Sequence, residues 1–85
     1  MADAKYLINV DFFEISRIHL NPEKYDIDAR CQTGLKNHEA GGTVLATEEE
    51  AFSYLRNEKI LTLNNKPVKN LQRCKLCSSK QDYTL

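Results

Sequence analysis

The sequence predicts a small α+β domain: a mainly antiparallel sheet, built from a long N-terminal β-hairpin and C-terminal strands, with one helix packed on one face. Three observations predict it. Apolar residues keep one parity from Tyr6 to Leu20, the stretch "KYDIDARC" at 24–31 alternates apolar with polar, and "TEEE" at 47–50 reads as the start of a helix.

Tyr6, Ile8, Val10 and Phe12 share the parity of Ile18 and Leu20, so one strand over about 5–20 keeps a single inner face. Glu14 and Ser16 interrupt that face and mark a bend or bulge. Asn21 and Pro22 fit the first two positions of a type I turn. The chain is then expected to return over 24–31 with Tyr25, Ile27, Ala29 and Cys31 inward, Leu20 facing Tyr25 and Ile18 facing Ile27. That register sets His19 opposite Asp26 and Arg17 opposite Asp28 on the outer face, and it turns Phe13 and Ile15 outward as well.

Gly34, Gly41 and Gly42 stand among polar residues and read as a loop. "TVLA" (43–46) is a short strand. Thr47 and Glu50 have capping-box spacing, and Ala51, Phe52 and Leu55 give the helix an apolar stripe to dock. "ILTL" (60–63) is a strand, and Asn64 and Asn65 suit a hairpin turn. That hairpin favours strand for "VKNLQRC" (68–74), although Val68, Leu71 and Cys74 also recur at a helical three-residue step behind Pro67. "DYTL" reads as a terminal strand. The order of capped helix, short strand, turn and strand is similar to small bacterial domains of unknown function, and that likeness transfers no role to any residue.

The 85 residues are expected to form one domain, 1–85. A chain of this size buries only about 60% of the surface it exposes when unfolded, so its core is thin and any staple matters. A hydrophobic fraction of 41% with 28% charged residues reads as a globular, soluble protein. There is no bilayer-length apolar run and no secretory-signal pattern in "MADAKYLINV", so the expected location is cytoplasmic, without a membrane partner. Three cysteines, an odd number, fit a reducing compartment rather than a closed disulfide framework. Net charge is zero but divided: residues 1–58 carry six basic and eleven acidic side chains, residues 59–85 six and one.

Metal chemistry is the sharpest motif question. Cys31, His38, Cys74 and Cys77 would make a Cys₃His zinc set, with C-x-x-C as a half-site. Spacing alone favours the plainer expectation of no cofactor, with Cys31 as a core residue, His38 in a solvated loop, and Cys74 and Cys77 as ordinary thiols. A redox role for "CKLC" needs the pair at a helix start, and a helix begun at Pro67 leaves Cys74 in its middle. No nucleophile elbow, phosphate-binding glycine loop or paired-carboxylate pattern is present, so an enzyme is not expected.

Two binding roles remain. Phe13 and Ile15, framed by Glu14, Arg17 and His19, have the composition of an interface centre with a charged rim, which makes a small non-catalytic protein-binding module the leading expectation. A regulator or inhibitor acting by docking fits this plainness, in analogy with small phage and mobile-element inhibitors, and the divided charge would also serve a homo-oligomer. The alternative is a nucleic-acid module, zinc-stapled or not, built on the basic segment 59–80, with Lys66, Lys69, Arg73, Lys75 and Lys80 as its phosphate contacts.

Overall fold

The computed structural model describes residues 4–10, 16–31, 43–63, 65–68 and 70–85. At its centre β1 (Tyr6–Val10) and β2 (Ser16–Leu20) run antiparallel, with Tyr6 opposite Leu20 and Ile8 opposite Ile18. β3 (Thr43–Ala46) pairs antiparallel with the other edge of β1, setting Ala46 opposite Tyr6. The helix α1 (Glu48–Leu55) follows. β4 (Thr62–Leu63) and β5 (Lys66–Pro67) form a separate two-stranded hairpin, after which β6 (Leu71–Arg73) joins β2 in parallel and leads into a short helix, α2 (Lys75–Ser78). The four-stranded sheet has the order β3-β1-β2-β6.

Parity explains the core. Pairing Tyr6 with Leu20 and Ile8 with Ile18 stacks these four residues and Ala46 on one face, where none is more than 1% exposed. Burying an Ile or Leu side chain stabilises by about 1.5–3 kcal/mol, so this row carries much of the fold. α1 lies against β3 and β6 and places Ala51 in the same core. Its start is the expected capping box: Glu50 N–H donates to Thr47 Oγ1 at 3.2 Å, and Thr47 N–H donates to Glu50 Oε1 at 3.1 Å. Tyr83 closes the far end of the chain, its ring edge-on to Tyr6 at 5.3 Å and its hydroxyl donating to the Ile18 carbonyl at 2.7 Å.

The α+β class, the mainly antiparallel sheet and the docked helix are as the sequence predicts, but the hairpin is a different one. β1 and β2 fold back on each other instead of forming one strand over 5–20, and residues 24–31 do not extend the sheet. The turn itself is present: Lys24 N–H donates to the Asn21 carbonyl at 3.0 Å, and the Asn21 side chain accepts from Glu23 N–H at 3.0 Å. Beyond it the chain is irregular and then helical at 29–31. The reason is topological. β2 has β1 on one edge and β6 on the other, so no edge is left for 24–31 to pair with.

Ile27 and Cys31 are buried all the same, while Ala29 is exposed. Two other expectations are corrected. Residues 68–74 are neither wholly strand nor wholly helix, since β6 ends at Arg73 and Cys74 is the N-cap of α2. "DYTL" is not a strand; Tyr83 is held by its ring and hydroxyl instead.

Candidate metal centre

His19 is the residue on which the site depends. It alternates with Ile18 and Leu20 along β2, so it projects from the opposite face, across from Leu7. Cys77 and the other cysteines pack over that position, and His19 is 6% exposed. The parallel register with β6 sets Arg73 opposite Ile18, which brings the next residue, Cys74, abreast of His19. Cys74 N–H donates to the Ile18 carbonyl at 3.2 Å, and its thiol makes no capping hydrogen bond, so the sulfur is left to face the cluster. One helical turn on, at the i+3 position, Cys77 joins the same side. Cys31 arrives from the third direction, in helical backbone at 29–31.

These elements bring one imidazole and three thiols together. Cys31 Sγ is 3.6 Å from Cys74 Sγ, Cys77 Sγ is 3.9 Å from Cys31 Sγ, and Cys77 Sγ is 3.7 Å from His19 Nδ1. All four donor atoms lie within 4.8 Å of one another, and all four residues are buried. Thiolates bound about 2.3 Å from a tetrahedral ion stand about 3.8 Å from each other, and an imidazole nitrogen stands slightly nearer to each sulfur. The three distances from Cys31 to Cys74, from Cys77 to Cys31 and from Cys77 to His19 match that edge length, and the remaining pairs stand no more than 4.8 Å apart.

The electrostatics fit a cation as well. Burial, with a smaller contribution from the Arg17 charge, lowers the His19 pKa to about 4, so near neutral pH the ring is uncharged and offers a lone pair. Burial pushes the Cys31 thiol well above its ordinary range, reinforced by its contacts with Cys74 and Cys77. Burial raises Cys77 too, while an amide hydrogen bond from the Leu20 backbone to its sulfur pulls the other way. The Cys31 and Cys77 thiols thus resist ionising without a positive charge beside them; a divalent ion reverses that and deprotonates its sulfur ligands.

No protein-family model, curated protein or solved structure matches this chain.

Three of the four metal candidates read from the sequence, Cys31, Cys74 and Cys77, are thus in one cluster. His38 lies outside the described residues, and His19 is the imidazole at the site. His19 was expected on the outer face opposite Asp26; it is buried opposite Leu7, because the partner of β2 is β1. Alternation did set His19 on the face opposite Ile18 and Leu20; it carried no signal that Cys31, Cys74 and Cys77 cover that face.

The other candidates are placed separately. Phe13, Glu14 and Ile15 lie outside the described residues, and Arg17, half-buried, stands opposite Asn9 and Gln72 rather than Asp28. With His19 buried, the expected patch loses one of its rim charges. Arg73 and Lys75 are exposed on either side of Cys74, Lys80 is half-buried, Lys66 falls in β5, and Lys69 lies outside the described residues. Cys74 is not in the middle of a helix begun at Pro67, the alternative on which the redox role was set aside: it follows a strand and caps a helix, the placement a redox pair needs. Burial of both thiols and the raised Cys77 pKa nonetheless oppose the exposed, low-pKa thiolate on which that chemistry depends.

Proposed function

We propose that this chain is a small non-catalytic protein-binding module whose fold is locked by one Zn²⁺ held by His19, Cys31, Cys74 and Cys77. The observation that supports this reading is the convergence of four buried donor atoms within 4.8 Å of one another, three of the pairs at the separation of tetrahedral zinc ligands. Four protein ligands fill a zinc coordination sphere and leave no position for a reactive water, so the ion acts as a staple rather than a Lewis acid. The ligands come from β2, from the helical backbone at 29–31 and from the β6–α2 junction, so one ion ties together parts of the chain up to 58 residues apart. In a domain with a thin core, such a staple keeps the surface in a single arrangement for a partner to recognise.

Metal analysis of the purified chain tests this. One zinc per chain is expected, with Cys77→Ser losing both the zinc and a large part of the thermal stability. Unchanged metal content and Tm in Cys77→Ser would dispose of the site.

A zinc-stapled nucleic-acid module is the second reading, supported by the exposure of Arg73 and Lys75 beside the cluster. It requires retention of oligonucleotides at low salt that weakens steeply as salt rises and with Lys75→Ala. Failure to retain them at low salt ends it.

A further inference from the structure

The three sulfurs of the metal centre are not equivalent. Cys31 Sγ stands 3.6 Å from Cys74 Sγ and 3.9 Å from Cys77 Sγ, while Cys77 Sγ also faces His19 Nδ1 at 3.7 Å. Cys31 and Cys74 keep 5% and 4% of their surface exposed, and Cys77 keeps none. The nearer of the two sulfurs beside Cys31 is therefore also the one with a route to solvent, and it lies 43 residues away in the chain. Without a metal, burial holds these groups as unreactive thiols. With zinc bound all three are thiolates, the form that reacts with peroxides, and hydrogen peroxide is small enough to enter where little surface is open.

We infer that the centre is a peroxide-operated switch, in which Cys31 and Cys74 join in a disulfide and the zinc ion is expelled. One of the two thiolates attacks the peroxide: an S–O bond forms, the O–O bond breaks and hydroxide leaves. The other thiolate attacks the resulting sulfenic sulfur, so that the S–S bond forms, the S–O bond breaks and a second hydroxide leaves. The two sulfurs give up two electrons, the peroxide takes them, and zinc stays Zn²⁺ throughout. Held then by Cys77 and His19 alone, two ligands in place of four, the ion departs. The helical backbone at 29–31 remains tied to the β6–α2 junction, but the link from β2 to α2 through His19 and Cys77 is gone. Oxidation thus exchanges one staple for another and alters the surface that the first one held. The reacting pair is not the C-x-x-C pair, Cys74 with Cys77, that a redox enzyme of that motif would use. This inference rests on the zinc half of the proposed function.

The test is titration of the zinc-loaded chain with hydrogen peroxide, following released zinc with a chromogenic chelator and then blocking free thiols and mapping disulfides by mass spectrometry of a tryptic digest. Cleavage after Arg30, Lys36, Arg73, Lys75 and Lys80 puts each cysteine on a peptide of its own, so every pairing is told apart. Zinc release is expected in step with a Cys31–Cys74 disulfide, with Cys77 as the remaining free thiol, and dithiothreitol with added zinc should restore the starting Tm. The inference is overturned if peroxide leaves the zinc in place, if the disulfide joins Cys77 to either other cysteine or links two chains, or if the thiols pass to sulfonic acids with no disulfide formed. A chain that holds no zinc before peroxide is added fails the staple and the switch together. A zinc-loaded chain that gives any of those other results fails the switch alone.

Discussion

A histidine set between two fully buried apolar neighbours, Ile18 and Leu20, carries more of this account than any other residue. Uncharged at neutral pH and enclosed by three sulfurs, His19 has the chemistry of a ligand rather than of a surface base. His19→Ala is expected to abolish stoichiometric zinc while His38→Ala retains it, as read by elemental analysis of the two purified variants. The three cysteines could be nominated from sequence because thiols at C-x-x-C spacing announce a half-site. The histidine could not, because alternation fixes the face it projects from and not what covers that face.

A second residue-scale prediction concerns Tyr83, whose hydroxyl shares the Ile18 carbonyl with Cys74 N–H. In Tyr83→Phe that carbonyl keeps one donor, so chemical denaturation should register a loss of about 1 kcal/mol and not a collapse.

Among the elements, α1 is the one whose sequence and structure agree most closely. Thr47 and Glu50 make the reciprocal bonds that their spacing announces, and Glu48, Glu49 and Glu50 crowd the positive end of the helix dipole. Thr47→Ala should cost about 1 kcal/mol in denaturant melts. The Thr47 backbone N–H, and then its hydroxyl, hold the Glu50 carboxyl below its ordinary 4.5. A carboxylate whose folded pKa is depressed adds stability that is fully present above the unfolded value and disappears as pH falls through the folded one. The Tm gap between the wild type and Glu50→Gln should therefore be constant from neutral pH down to about 4.5 and close below it.

The same scale shows where sequence reading fails. Residues 24–31 have strand periodicity, yet alternation yields a strand only where a neighbouring edge is free, and both edges of β2 are taken. The burial of Ile27 and Cys31 was readable and the backbone conformation was not, since an irregular segment can bury alternate residues as well. At 68–74 the mixed signal was real, because a strand and a helix meet at Cys74.

Across the whole molecule, the sheet and helix bury one apolar face, and the cluster joins that sheet to two segments that pairing alone secures weakly. β6 is three residues long and α2 four, and neither length is stable by itself. Binding energies of structural zinc sites, about 10–16 kcal/mol in small peptides, equal or exceed the whole stability of a typical domain, about 5–15 kcal/mol. Excess EDTA at neutral pH should accordingly abolish the cooperative calorimetric transition of the chain, and added zinc should restore it.

The central claim is that His19, Cys31, Cys74 and Cys77 surround one zinc ion, and X-ray absorption at the zinc edge of the purified protein tests it most directly. A first shell of three sulfurs at about 2.3 Å and one imidazole nitrogen at about 2.0 Å is the predicted result. A shell dominated by oxygen or nitrogen, or a purified chain that holds no zinc at all, would contradict it.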